Sequence, residues 1–523
     1  LFHLDFSGRF FMSSRHAIVP RGLNATRSSL SQGRFGRMFR KLAPATFGSN
    51  DANNVANLSA LADKMIAGFD GPKDGPDAEE SGIPALYTYF GQFVDHDITF
   101  DPVSSLTRQQ DPDGLIDFRT PSLDLDNLYG RGPNDQPYMY DGIKFRLGEK
   151  LTGAGVADAS DLPRFKGRAL IGDPRNDENS IVSQFQALML RFHNRMVDDN
   201  DSLSFEEVQQ RVRFHYQYVV LNDFLPRIVH ASVLNALKTA GRYDRSKLAY
   251  YHWKNFPFMP VEFSVAAYRL GHSMIRPGYR LNDAANMLLQ IFPDPNNPDN
   301  NALTGFRAMG PGRAIDWGRF IDLDTRAYGV ADDGSNADNK RRLQFAYRID
   351  ASLVDPLRRL PPEVASNPAS LALRNLERNW RLGLPSGQAV AKAMNLTPLS
   401  DDQIIIGKAV DEPGTGDPQT RIANIANGVF AGNCPLWAYI LAEARQFQIA
   451  VQIPATGAPA AGINTPQLGP VGGRIVAEVF LGMLFGDNSS VLSLDPQWAP
   501  VTGSSFALKD LVAYALGQGD PLH

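Results

Sequence analysis

Apolar positions recur every three to four residues in several separate stretches, a spacing that predicts helices. Val55, Leu58, Leu61 and Met65 mark one over residues 51–69. A second is expected over residues 84–96, with Pro84 opening its first turn. Ile181, Phe185, Leu188, Phe192 and Met196 mark a third. Ser204 and Glu207 form a capping-box pattern ahead of a fourth, from Phe205 to about Phe224. Residues 260–281 carry two apolar stripes: Phe263, Ala267, Leu270 and Met274, then Val261, Val265, Tyr268 and Ile275. A helix apolar on nearly all sides is a buried one. Beyond residue 387 the pattern is again helical, interrupted by one Pro/Ala/Gly-rich loop over 454–473. No internal repeat or linker divides the chain. These features predict a mainly α protein with few short strands, in one large domain over residues 51–523.

Composition adds an arm and removes some functions. Residues 1–50 hold eight Arg and Lys residues, from Arg9 to Lys41, against Asp5 alone. This stretch reads as an extended segment that wraps the domain and pairs with its acidic surface, rather than as a docking site for an anionic partner. The formal net charge of −4 makes no case for nucleic acid. No apolar run approaches the ~20 residues that cross a bilayer. Cys434 is the single cysteine, so neither an intrachain disulfide nor a cysteine metal cluster can form. The chain opens at Leu1 without a signal-peptide pattern.

The chemistry concentrates in a few short stretches. YTYFGQFVDHDITFDP, residues 87–102, places one of nine histidines, His96, between Asp95 and Asp97. On a helix Gln92 shares a face with it. In RTPSLDLDNLYG, Thr120, Ser122, Asp124 and Asp126 alternate, which on an extended segment puts four oxygen-bearing side chains on one side. Such a set suits Ca²⁺; a solvated acidic turn reads the residues equally well. His272, next to Gly271, is either an axial ligand for haem iron or a core histidine bonded to a carbonyl. His193 and His215 read as packed structural histidines.

GQFVDHDITFD resembles the distal-histidine motif of the animal-type haem peroxidases, within the peroxidase–cyclooxygenase superfamily. GDPRNDEN, RLGHS and LALRNLERNWRLG match later family segments in the same order, and GPVGGRIVAEVFLGMLFGDNSS resembles the C-terminal part of bacterial members. The resemblance implies a helical domain around a buried haem b. His96, Gln92 and Arg175 would then be catalytic. His272 would hold the haem iron, with Asn375 behind it. Arg269 and Arg378 would meet propionates, and Asp95 and Glu178 would form ester links to the haem. Asp97, Thr120, Ser122 (through its carbonyl), Asp124 and Asp126 would bind calcium. The chain departs from the family after Arg378, where Asn379, Trp380 and Arg381 replace the usual arginine, aspartate and histidine.

The implied activity is reduction of hydrogen peroxide with oxidation of small anionic or phenolic donors, in an extracellular or periplasmic setting. Asn179 stands where the chlorinating member has a methionine. The rival reading is a fatty-acid dioxygenase or cyclooxygenase. Those enzymes carry a tyrosine three residues before the proximal histidine; here Arg269 holds that place. A helix would turn Tyr268 about 100° away from it. A third reading, an inactive adhesion or matrix protein, fits poorly with two retained histidines and Arg175.

Overall fold

The computed structural model describes residues 35–68, 76–99, 119, 121–156, 158–284, 288–293, 302–328, 341–362, 367–410, 419–500 and 505–518. The main helices are α1 (Asp51–Met65), α2 (Leu86–Ile98), α3 (Ser180–Asp198), α4 (Phe205–Val219), α5 (Leu371–Arg381), α6 (Leu436–Ala444), α7 (Pro470–Gly486) and α8 (Leu508–Leu516). Strands are short and pair two by two. The fold is mainly α, as the apolar spacing predicts. Among the described residues, no helix is long and apolar enough to cross a membrane.

The helix ends follow local chemistry. The Asn50 side chain accepts from Asn53 N at 2.9 Å and starts α1. The capping box of α4 is formed, with Glu207 N donating to Ser204 Oγ and Ser204 N donating to Glu207. Beyond Val219 the same helix widens into a π turn, Val220–Phe224. Pro84 does not open α2. It ends the strand Glu80–Pro84, which pairs antiparallel with Phe345–Tyr347, and α2 begins two residues later. Proline's fixed φ suits a strand end as well as a helix start.

The core gathers around α2. Phe90 and Phe93 meet Phe185 of α3, and Phe90 meets Phe224, all edge to face with centroids 5.2–5.9 Å apart. Such pairs add to the burial of large apolar area and fix the rotation of α2 about its axis. α8 packs on α3, α1 on α5, and α6 on α7.

Two further expectations fail. Residues 260–281 are not one buried helix. The stretch folds as a short helix Val261–Ser264, a 3₁₀ helix Ala267–His272 and a strand Gly278–Arg280. A segment apolar on every side has lost the periodicity that separates helix from irregular core. The loop of residues 454–473 is also shorter than its composition implies. It is closed by the hairpin Gln448–Val451 with Ile463–Pro466, and α7 starts at Pro470.

Residues 1–34 of the expected arm lie outside the described residues. Phe35–Gly36 pairs in parallel with Met259–Pro260. The N–H groups of Met38 and Phe39 donate to the Glu262 carboxylate at 3.1 Å. Arg37 donates to the Leu382 and Gly383 carbonyls. The partners here are carbonyls and one buried carboxylate rather than an acidic surface.

Candidate active site

His96 and His272, 176 positions apart in sequence, line the same cavity of about 370 Å³. From α2, Thr88, Gln92, Asp95, His96 and Thr99 face it; their spacing is one helical face.

His96 is 5% exposed. Its Nδ1 lies 2.6 Å from Asn176 Oδ1. A relay of amides fixes the direction of that bond. Asn176 Nδ2 donates to Gln186 Oε1 at 2.8 Å, and Gln186 Nε2 donates to the Asn127 carbonyl at 3.4 Å. Anchored on a backbone carbonyl, the relay makes Asn176 Oδ1 an acceptor. His96 Nδ1 therefore carries the proton, and Nε2 keeps its lone pair. Burial, then Arg175, lowers the His96 pKa to about 4, so the ring is neutral at neutral pH.

Arg175 sits on the short helix Pro174–Asp177, which Asp173 caps by accepting from Arg175 N at 2.8 Å. Its Nη2 donates to Asp173 Oδ2 at 2.8 Å, to the His96 carbonyl at 3.1 Å and to the Thr99 carbonyl at 2.6 Å. The guanidinium is thus held at the cavity wall. Glu178 follows, and burial pushes its pKa up to about 7 against the pull of Arg175. Gln92 Nε2 donates to Glu178 Oε1, and Asn179 Nδ2 donates to Gln92 Oε1 at 3.2 Å. His96 Nε2 is 3.8 Å from Glu178 Oε1.

On the opposite wall, Asn375 Nδ2 lies 2.8 Å from His272 Nδ1; a half-turn of the amide exchanges Nδ2 with Oδ1. The fit of a metal depends on which amide atom faces it. With the nitrogen there, the imidazole proton moves to Nε2 and blocks ligation. With Oδ1 there, Nδ1–H donates and Nε2 is a free ligand atom. Burial, then Arg269, lowers the His272 pKa to about 3, which keeps the ring neutral. Arg269 Nε donates to the Ser264 carbonyl at 2.8 Å, and its Nη1 is 3.9 Å from Asp95 Oδ2. Arg378 also lines the cavity.

Other features suit a flat, partly polar group between the histidines. A Cβ added at Gly271 would meet no atom within 4 Å, so this glycine borders open cavity. The hydroxyls of Thr88 and Ser264 are buried, have no hydrogen-bond partner among the described residues, and belong to cavity-lining residues.

Tyr268 does not turn away. In the 3₁₀ segment successive side chains differ by about 120°, and Tyr268, Arg269 and His272 all line the cavity. The Tyr268 hydroxyl donates to the Gly91 carbonyl at 3.2 Å, and its ring stacks on Phe263 at 4.7 Å.

Behind His96, the carboxylates of Asp97, Asp124 and Asp126 lie within 4.8 Å of one another. Alternation on an extended segment is not what unites them. Leu125 adopts a left-handed φ of 58°, and the helix Asp126–Tyr129 starts straight after it. Asp97 Oδ2 accepts from Tyr216 at 3.1 Å, while Oδ1 is buried with no hydrogen-bond partner among the described residues. Burial, then Asp124 and Asp126, pushes the Asp97 pKa well up. A buried carboxylate oxygen without a donor, among like charges, suits a cation. The Ser122 hydroxyl donates to Asp487 Oδ2 at 2.8 Å, leaving its carbonyl as the candidate ligand. Thr120 lies outside the described residues.

The family model for animal haem peroxidases matches residues 109–303, a stretch that contains Arg175, Glu178 and His272. Peroxidase A from Dictyostelium discoideum superposes with a TM-score of 0.53 over 89% of each chain, at 17% identity. Residues 109–303 thus match the animal haem peroxidase family, and the fold as a whole is similar to that of a solved peroxidase. A second similar fold, the fatty acid alpha-dioxygenase of Oryza sativa, gives a TM-score of 0.51 over 93% of this chain and 80% of that one, at 14% identity.

Sequence relatives cover less. A dual oxidase of Drosophila melanogaster is 30% identical over 126 residues, 22% of this chain and 7% of that protein. Thyroid peroxidase of Canis lupus familiaris is 25% identical over 213 residues, 35% of this chain and 21% of that protein. The matches span under a quarter of these relatives' own length.

Sequence reasoning did not find Asn176, Asp173, Arg119 or Asn379. Arg119 donates to Asp173 and to Asp126. Asn379 Nδ2 donates to the Val265 carbonyl at 2.6 Å and ties α5 to the proximal segment. Asp173 carried one readable signal, an Asp before a proline, which favours a capped turn.

Proposed function

We propose that this chain is a haem peroxidase that reduces hydrogen peroxide and oxidises bromide, iodide, thiocyanate or phenolic donors. The supporting observation is the pairing of His96, with a bare Nε2, and Arg175 on one wall with His272 and Asn375 on the other. Bound haem supplies an iron centre that accepts oxidising equivalents from peroxide and passes them to a donor.

The chain's own residues handle protons and charge. His96 Nε2 takes the proton from one peroxide oxygen and returns it to the other. Arg175 stabilises negative charge that develops on the departing oxygen. Gln92 orients water or a halide beside His96. His272 Nε2 would be the iron ligand, with the Asn375 amide turned so that Oδ1 accepts its Nδ1–H. Arg269 and Arg378 meet the propionates. Asp95 and Glu178 would be the ester partners of two haem methyl groups, a C–H bond giving way to a C–O bond at each with one peroxide as two-electron oxidant and two waters released, and Asp97, Thr120, Ser122, Asp124 and Asp126 would hold calcium. Asn179 caps α3, accepting from Val182 N at 2.9 Å; it cannot form a sulfonium link, so efficient chloride oxidation is not expected.

The deciding experiment is an absorption spectrum of the purified protein before and after peroxide. A haem band that shifts with peroxide and returns on adding bromide or a phenol supports the proposal. A haem band indifferent to peroxide contradicts it.

The second reading, a fatty-acid oxygenase, draws on one observation: Tyr268 lines the cavity beside His272. Oxygen uptake with linoleate in the absence of peroxide, lost in Tyr268→Phe, would establish it in place of the first.

A further inference from the structure

We propose that Arg119 is a positioning residue that couples the cation cluster of Asp97, Asp124 and Asp126 to the guanidinium of Arg175. The inference rests on the haem-and-calcium reading above, and it concerns a residue to which that reading assigns no role.

Arg119 is 12% exposed and forks between two nearly inaccessible carboxylates. Its Nε and Nη2 donate to Asp173 Oδ2 at 3.1 and 2.7 Å. Its Nη1 donates to Asp126 Oδ1 at 3.1 Å, and Nη2 also donates to the Gly172 carbonyl at 3.2 Å. Asp173 Oδ2 is the same oxygen that accepts from Arg175 Nη2 at 2.8 Å. One buried carboxylate therefore serves two arginines. One of them faces the cavity, and the other reaches the cation cluster.

The charges give the coupling its sign. Without a cation, three clustered carboxylates draw Arg119 towards Asp126, and Asp173 is left to neutralise Arg175. A divalent cation among Asp97, Asp124 and Asp126 repels Arg119 and competes for Asp126. Arg119 then commits to Asp173, and more of the positive field of Arg175 is available to an anion in the cavity. Buried, well-aligned groups transmit such changes because they are weakly screened. Coupling of this kind is reciprocal. An anion near Arg175 must tighten cation binding by the factor by which the cation tightens anion binding.

The test is cyanide binding to the haem-loaded protein, followed by absorption, with calcium in excess and after EGTA treatment. Calcium affinity is measured in parallel by calorimetry, with and without cyanide. The wild type should bind cyanide about fivefold or more tightly when calcium is present, and calcium more tightly by the same factor when cyanide is present. Arg119→Met removes the fork. Arg119→Lys keeps the charge, but a single ammonium cannot span both carboxylates. In both variants cyanide affinity should become indifferent to calcium while haem and calcium still bind. A wild type that binds both ligands without coupling overturns the proposal and leaves the peroxidase reading intact. Coupling that survives in both variants removes Arg119 from it. Failure to take up haem at all overturns the peroxidase reading, and this proposal with it.

Discussion

Asn375 Nδ2, on α5, lies 2.8 Å from Nδ1 of His272, and a half-turn of that amide brings in Oδ1, the acceptor that iron ligation by His272 requires. With Oδ1 as acceptor, the imidazole is a stronger donor than an unassisted one. Asn375→Leu should raise the reduction potential of bound haem and cost on the order of 10–100-fold in activity. Asn375→Asp should lower the potential. Spectroelectrochemical titration separates the two, and equal potentials in all three proteins would rule out the assignment.

His96 is the proposed proton carrier, so His96→Ala should slow the reaction with peroxide by roughly 10²–10⁴. Haem uptake should be unchanged, because His272 is untouched. Asn176→Ala should cause a smaller loss, since it releases the tautomer without removing the base. Stopped-flow absorption measures both rates. A His96→Ala protein as fast as the wild type would transfer the role elsewhere.

Glu178 lines the cavity beside Gln92 and His96. If it forms an ester with haem, acid–acetone should extract little haem from protein treated with peroxide. Glu178→Gln should release it, unless Asp95 still holds the other edge. A digest followed by mass spectrometry finds the remaining link. Full extraction from the treated wild type would exclude covalent attachment.

The structural histidines predict a pH effect. His193 is inaccessible, with Nε2 2.9 Å from the Ile143 carbonyl and Nδ1 3.1 Å from the Tyr129 hydroxyl. Burial lowers its pKa from 6.5 to about 4. Between those values the unfolded chain binds the proton and the folded one does not. This contribution is therefore complete above about pH 6.5 and is lost as pH falls towards 4, to the extent of roughly 3 kcal/mol. Unfolding of wild type and His193→Gln, followed by denaturant from pH 7 to 4, should show a difference that shrinks as pH falls. A difference constant with pH would exclude the effect.

What was legible in the sequence depended on whether a stretch has one wet face. α1 does along its length, α3 over its last two turns and α4 over its first two, and there the apolar spacing marks them. α2 is buried on most sides, yet Gln92 and His96 still fall on one face because a helix allows no other arrangement of i and i+4. Residues 260–281 have no wet face, so helix, 3₁₀ turn and strand write the same apolar string. Contacts between distant polar residues leave no local trace at all. Asn176 meets His96 across 80 positions, and Arg119 meets Asp173 across 54. Glu80 lies at the end of the run DGPKDGPDAEESG, whose Gly and Pro content reads as a loop. It is nonetheless fully buried between Arg276 and Arg342, each at 2.6 Å.

The strand pair that ties Phe35–Gly36 to Met259–Pro260 bears on how the protein is made. During synthesis the His96 wall leaves the ribosome long before the His272 wall, and Asn375 follows about a hundred residues after that. The early segment at Phe35 must stay unpaired until Met259 emerges. The cavity therefore cannot close before its second wall is made, and a nascent chain halted before Asn375 lacks the side chain that contacts His272 Nδ1.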